Sequence, residues 1–279
     1  MNCAMTTLFL LALAAPRVVV AGGFKASKAS DSELVGCLED ADPALREDCV
    51  DEMGDRDAAV FGATLADVAR DDGGPRVRLA ALDALKSQSA PELAAVVAHV
   101  AIRDPAVPNR AHALAIIEKQ LPDSAAPTVV QAMQDADATI ARKAVIIVGK
   151  RGFSEAEPWL IEHGVEHADS AVVIQAWKTL TRLGNPDLRP NIHAALANGS
   201  EDVRKAVVRA MRDSVTSQDR DALIGALDDA NTHVARDASK ALIKLGDSSV
   251  APILREKSAA ATDEAVKSDF AKAAVALGG

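Results

Sequence analysis

The chain has 279 residues, of which 49% are apolar, 25% are charged and only 3% are aromatic, with no tyrosine. This composition excludes general disorder, and the scarcity of strand-favouring aromatic residues excludes an all-β sandwich or barrel. The formal charge of −9 argues against a protein that binds nucleic acid non-specifically. We therefore expect an all-α protein with no nucleic-acid partner.

The N-terminal segment has the features of a secretory signal peptide. Residues 7–15 form a short apolar run, and the small residues Val19 and Ala21 stand at the −3 and −1 positions of a cleavage site after residue 21. The apolar run is too short to cross a bilayer. The pattern predicts a signal peptide over residues 1–21, a linker over 22–29, a periplasmic or secreted mature protein and no membrane span after cleavage. No Lys or Arg precedes the run, so an apolar N-terminus of a cytosolic protein is the alternative.

The remainder of the chain, residues 30–279, is one repeated unit. An apolar residue that opens a helix recurs at intervals of about 31 residues. We number this marker as position 0, and residues at positions 4 and 8 share its helical face. Several copies end in Leu-Gly, which predicts a left-handed C-cap at Gly184, Gly246 and Gly278. The markers are Leu45, Val77, Val107, Ile140, Val172, Val203, Val234 and Val266.

A second helix precedes each marker helix. In four copies a proline stands 13 or 14 residues before the marker, a position that suits the first turn of a helix. Each unit is therefore predicted to be helix A, a short turn and helix B, repeated about eight times, with the first helix A over residues 31–39. The prolines are Pro127, Pro158, Pro190 and Pro252.

The period, the helix A proline, the Asp of the turn and the Val-Arg opening of helix B at Val77-Arg78 and Val203-Arg204 resemble HEAT repeats. The short unit is most similar to the HEAT-like class named after phycobilisome lyases. The resemblance implies an α-solenoid, a superhelix with helix A on the convex side and helix B on the concave side. The third copy departs from the pattern with Pro108 where Arg is expected, and the fifth departs with Val173.

Few residues in this pattern suggest catalysis. His163 and His167 match the spacing of a zinc-binding motif, but Gly164 lies inside it at a helix end. The paired His-Glu dipeptides of helical-repeat deoxyhypusine hydroxylases are absent, and no residue is diagnostic of bilin chemistry. Trp177 is expected in the core rather than at a binding site. We predict no metal, no cofactor and no catalytic residue; an enzyme of the lyase-like or metal-dependent repeat families is the alternative.

Basic residues are concentrated in the B helices of the repeats. Position 6 of helix B is basic in the last four repeats, and neighbouring positions add further cations. Two interpretations follow: a solvated helix face, or a concave basic surface that docks a protein or an acidic peptide, which would make the protein an exported scaffold. A spacer that binds nothing is a third possibility. The candidate partner-binding residues are Lys178, Arg209, Lys240 and Lys272, with Lys205 and Arg236 beside them.

Two cysteines remain after the predicted cleavage. Cys37 lies in helix A and Cys49 in helix B of the first repeat. A disulfide between them would stabilise a terminal repeat that has no preceding neighbour. The alternative is two small buried thiols, since Cys49 occupies the core position 4.

Overall fold

The computed structural model describes residues 24–278; the predicted signal peptide lies outside them. These residues form sixteen α-helices and no strand, and none of the helices is long and apolar enough to cross a membrane. Odd-numbered helices are helix A and even-numbered ones helix B of eight successive pairs. They are α1 (Asp31–Cys37), α2 (Pro43–Gly54), α3 (Ala58–Asp71), α4 (Pro75–Ser87), α5 (Leu93–Arg103), α6 (Val107–Gln120), α7 (Ala126–Ala132), α8 (Ala138–Arg151), α9 (Glu157–Trp159), α10 (Ser170–Leu183), α11 (Arg189–Asn198), α12 (Glu201–Asp213), α13 (Arg220–Gly225), α14 (Thr232–Leu245), α15 (Ala251–Ala260) and α16 (Glu264–Gly278).

Short polar residues fix where helix B begins, because their side chains accept hydrogen bonds from the first free backbone N–H groups. Asp137 caps α8, Asp169 caps α10 and Ser200 caps α12 in this way. The four prolines lie in the first turn of their helices, as predicted. Helix A is irregular in the fifth repeat, where α9 continues as a π-helix over Leu160–Gly164.

The predicted C-caps are confirmed at Gly184 and Gly246, which have φ values of 75° and 76°. A side chain with a Cβ atom disfavours this left-handed conformation, which explains why the sequence ends these helices with glycine. Gly152 adopts the same conformation after α8, with φ 72°. Gly278 differs from the prediction, since it is the last residue of α16.

The core runs along helix B. Positions 4 and 8 are buried in every repeat but the third, and position 0 is buried in all but the first and the third, where Leu45 and Val107 are half-buried. Position 4 is alanine in most copies, and so small a side chain lets neighbouring helices approach closely. The B helices α8, α10, α12, α14 and α16 pack in sequence, each on the next. This is the stacking of an α-solenoid, as the repeat pattern predicts.

The predicted register of the third repeat is wrong by two residues. Position 0 is Asn109 rather than Val107, so the intervals on either side become 32 and 31 residues. Asn109 is 3% exposed, and with this register positions 4 and 8 are the fully buried Ala113 and Ile117. The polar marker is tolerated because its amide donates hydrogen bonds to the Pro75 carbonyl at 2.9 Å and to Asp104 at 3.1 Å.

The described chain divides into two compact units, one ending at Asn109 and the other beginning at Arg110. The first holds the helices from α1 to α5. The second holds the last five repeats, where the candidate partner-binding residues lie.

Candidate functional site

A buried ion pair links successive repeats at four junctions. An arginine at position 1 of helix B donates two hydrogen bonds to an aspartate in the A–B turn of the next repeat. In the Arg78–Asp104 pair both distances are 2.8 Å or less, and a third N–H bonds the Asp72 carbonyl at 2.7 Å. We call each such pair a ladder pair. The four are Arg46–Asp72, Arg78–Asp104, Arg110–Asp135 and Arg204–Asp229.

The two members of a ladder pair are present together or absent together. The residues at the arginine and aspartate positions are Ala141 and His167 between repeats 4 and 5, Val173 and Asn198 between repeats 5 and 6, and Ala235 and Ala261 between repeats 7 and 8. A lone charge in these buried positions is costly, whereas a matched pair is tolerated. Ladder pairs therefore serve the fold rather than a reaction.

Hydrogen bonding holds three of the ladder aspartates, Asp72, Asp104 and Asp229, in the charged form. Burial by itself raises the pKa of Asp72, but hydrogen bonds from Arg46 and from the Gly74 N–H outweigh burial and lower that pKa. The pKa of Asp104 and that of Asp229 are lowered by the same balance, with Arg78 and Arg204 as the donors. These carboxylates are thus ionised at neutral pH, and they are engaged in hydrogen bonds that stabilise the fold.

The cations predicted to bind a partner lie on α10, α12, α14 and α16. Lys178, Arg209, Lys240 and Lys272 occupy position 6 of the four helices. None is fully buried, and the Arg209 side chain is 54% exposed. Because these helices pack in sequence, one cation is presented on each. We call this surface, together with Lys205, Arg236 and the exposed Arg182 at position 10 of α10, the basic face.

Two aspartates of neighbouring helices balance part of the basic face. Asp237 accepts hydrogen bonds from Arg209 and Arg212, both at 3.1 Å. Asp269 accepts one from Arg236 at 2.7 Å and lies 3.9 Å from Lys240. The sequence reasoning missed this compensation; its only signal is the acidic residue at position 3 of the last two B helices.

The cations of the basic face differ in whether a nearby carboxylate pairs with them. Lys205 pairs with Glu201 in its own helix, and this hydrogen bond raises the pKa of Lys205. In contrast, Lys178 and Arg182 of α10 and Lys272 of α16 make no ion pair with any described residue. Uncompensated positive charge is therefore concentrated on α10, with Arg209 of α12 beside it.

The histidine motif of the fifth repeat serves its A–B turn. The Nδ1 atom of His167 accepts a hydrogen bond from the Asp169 N–H at 3.0 Å. His163 is exposed and lies near Trp159, with ring centroids 6.0 Å apart. Among residues 24–278 no group of His, Cys, Asp and Glu is arranged to hold a metal ion. Trp177 packs, partly buried, against the core as expected.

The first repeat carries a covalent link. Cys37 of α1 and Cys49 of α2 are fully buried, and their Sγ atoms are 2.00 Å apart, in a disulfide. The link joins helix A to helix B of the repeat that begins the described structure.

Comparisons with known proteins agree with this architecture. A family model of HEAT repeats matches residues 126–212, 157–243 and 188–274, which together cover more than half of the chain. The crystal structure of YibA from Escherichia coli is similar in fold, with a TM-score of 0.52 and 18% identity over 90% of this chain and 93% of that one. No curated protein matches the sequence significantly.

Two further solved structures are more distant. The complex of CpcE and CpcF of phycocyanin lyase from Nostoc has a TM-score of 0.38 and 17% identity, over 90% of this chain and 95% of that one. Human deoxyhypusine hydroxylase has a TM-score of 0.37 and 17% identity, over 84% of this chain and 88% of that one. At these scores neither relative says anything about activity.

Proposed function

Because the chain belongs to the HEAT-repeat family, we propose that it is an exported scaffold whose basic face docks an acidic protein or peptide. The observation that carries the proposal is the unpaired positive charge of Lys178 and Arg182 on α10, next to the exposed Arg209. In an otherwise acidic chain, such a cluster of cations is expected to attract an anion.

The proposal places the centre of binding on α10 and α12 rather than evenly along the basic face. Lys240 and Arg236 already face Asp237 and Asp269, so an incoming carboxylate competes with a resident one there. Lys178 and Arg182 meet no such competition. Each exposed contact contributes well under about 1 kcal/mol, so affinity rests on several cations acting together.

A charge-reversal experiment tests this surface. The probe is an acetylated and amidated ten-residue glutamate peptide, and its affinity is measured by fluorescence anisotropy at low salt. We expect Lys178→Glu with Arg182→Glu to weaken binding at least about tenfold, and added salt to weaken wild-type binding by screening. Reversing all four position-6 cations to Glu is expected to abolish binding.

The matched control is Arg255→Glu with Lys267→Glu, which changes the net charge equally on exposed residues outside position 6. It is expected to retain most of the wild-type affinity. Equal weakening by both pairs would mean that only net charge matters, and the basic face would then be a solvated surface. Asp237→Asn is expected to strengthen binding, because it removes a resident counter-charge from Arg209 and Arg212.

Export is tested separately. If residues 1–21 are a signal peptide, protein purified from its native host begins near Gly22. N-terminal sequencing decides the question, and an intact Met1 or Met5 start in the cytosolic fraction would contradict export. A proteome-wide capture from the cell envelope, with the α10 double variant as the control, would then identify the partner.

A further inference from the structure

The junction between repeats 7 and 8 has a vacancy where other junctions hold a ladder pair. Its two ladder positions are Ala235 and Ala261, so both charged groups are reduced to a methyl group. Both alanines line an open groove of about 390 Å³ on the surface of the second unit. At the other junctions without a ladder pair, at least one of the positions carries a larger residue, His167 in one case and Val173 in the other.

The filled junctions show what this kind of space accommodates. At each one a planar guanidinium lies between the start of one helix B and the A–B turn of the next repeat. In the Arg204–Asp229 pair it donates to both carboxylate oxygens and to the Gly199 carbonyl, at 2.6 to 3.0 Å. The vacant position thus corresponds to a guanidinium site that the chain fills elsewhere with its own arginine.

The chemistry of the groove fits the same group. Apolar side chains, among them Leu227 and Val266, line it together with four carboxylates, whereas Lys257 is the one cation among the lining residues. Three of the carboxylates already have partners: Asp229 is held by Arg204, Asp263 caps the start of α16, and Asp228 is paired with Lys257. The fourth, Glu256, is exposed without an ion pair to any described residue and is the acceptor open to a ligand. An aliphatic stem suits the apolar walls while a cationic head reaches the acidic rim.

We propose that this groove binds an arginine side chain of a partner polypeptide. Arginine suits the groove better than lysine, because a guanidinium donates several hydrogen bonds in a fixed plane and is less strongly hydrated than an ammonium group. The site is separate from the basic face and of opposite charge. A partner with an arginine beside an acidic stretch would therefore have two distinct anchors on this protein.

Peptide titration followed by nuclear magnetic resonance tests the inference. The probe is the acetylated and amidated peptide Gly-Gly-Arg-Gly-Gly, and the matched peptide carries lysine instead. We expect the arginine peptide to shift the backbone amide signals of Ala235, Ala261 and Thr262, with an affinity about tenfold above that of the lysine peptide. Absence of shifts at these residues, or equal affinity for the two peptides, would overturn the proposal.

The most direct test is a variant whose own side chains fill the vacant ladder positions. Ala235→Arg with Ala261→Asp installs a ladder pair at this junction, and we expect it to abolish arginine-peptide binding while the melting temperature is maintained. The control, Ala141→Arg with His167→Asp, installs a pair at another junction and is expected to bind the peptide normally. Unchanged binding by the filled variant would contradict the proposal.

Three further variants keep the test independent of folding and of the proposed function. If the filled variant does not fold, Ala261→Leu occupies the groove without a charge, and Glu256→Gln removes the negative charge of the rim; both are expected to weaken binding. Lys178→Glu with Arg182→Glu is expected to bind the arginine peptide as the wild type does. If this variant loses binding of the glutamate peptide alone, the result concerns the proposed function of the basic face and leaves the arginine site untouched.

Discussion

At the scale of single residues, the ladder pairs show how the fold accommodates buried charge. The Arg78 side chain is 7% exposed and that of Asp104 is 1% exposed. Such groups are tolerated because each nitrogen of the Arg78 guanidinium donates a hydrogen bond and both Asp104 oxygens accept one at close range. The same reasoning explains why arginine and aspartate are lost together at three junctions.

Breaking one ladder pair is expected to destabilise the first unit. Asp104→Asn leaves Arg78 buried beside a neutral partner, and we expect the free energy of unfolding to fall by about 3 kcal/mol in urea denaturation. Asp67→Asn, at an exposed carboxylate of the same unit, is expected to change it by less than about 0.5 kcal/mol. Replacing both ladder residues, Arg78→Met with Asp104→Leu, is expected to recover most of the loss, because no lone charge remains.

The lowered pKa of Asp72, Asp104 and Asp229 predicts how stability depends on pH. Asp229 has a lower pKa in the folded protein than when unfolded, where an aspartate has a pKa of about 3.9. Its contribution is therefore complete above that unfolded value and is lost as the pH falls through the folded pKa. We expect the melting temperature to fall below about pH 4, and to fall less steeply in Asp229→Asn. A variant with the wild-type slope would contradict this role for Asp229.

At the scale of helices, some B helices, α2 and α6 among them, are also capped by the repeat that follows. The residue at position 11 of the following helix B donates from its side chain to free carbonyl groups at the end of the preceding helix B. Gln88 bonds the carbonyls of Met53, Gly54 and Arg56 at 2.9 to 3.0 Å, and Arg151 does the same for Ile117 and Leu121 at 3.0 Å. A helix end without such partners would leave polar groups unsatisfied.

A missing ladder pair can be built between two helices that lack it. Ala141 at the start of α8 is fully buried, so Ala141→Arg alone is expected to lower the melting temperature by placing an unpaired charge there. His167→Asp supplies the carboxylate, and the double variant is expected to recover stability. A double-mutant cycle measures the coupling, expected to be on the order of 2 kcal/mol. Additive effects of the two changes would show that they do not meet.

At the scale of the whole molecule, stability is expected to be distributed locally, because each repeat of a solenoid contacts only its neighbours. The Cys37–Cys49 disulfide closes a short loop in the first repeat of the described part of the chain. Its influence should therefore decline along the chain. In the chain-entropy description such a loop contributes about 3 kcal/mol.

Hydrogen exchange tests this locality. In Cys37→Ser with Cys49→Ser, we expect faster amide exchange in α1 to α4 and unchanged exchange in α14 to α16. Uniform acceleration throughout the chain would mean that the protein unfolds as one cooperative unit. Thiol titration of denatured, unreduced mature wild-type protein is expected to find no free thiol, and two titratable thiols would contradict the disulfide.

Most of the architecture could be predicted from the sequence, because its determinants are local. An apolar face with helical spacing, a glycine after the last turn and a proline in the first turn each act within a few residues. The exception is the third repeat. There the marker is the polar Asn109, and the nearby Val107 satisfies the periodic pattern without being the core residue.

The sequence by itself determined that this protein is an α-solenoid of eight helix pairs with cations at position 6 of its last four B helices. Only the tertiary structure decided which of those cations are free. Arg209 and Asp237 are 28 residues apart, and Arg236 and Asp269 are 33 apart, so these pairs form only when repeats stack. The vacancy between Ala235 and Ala261 depends on the same stacking, since two small residues distant in sequence create a groove only where neighbouring repeats meet.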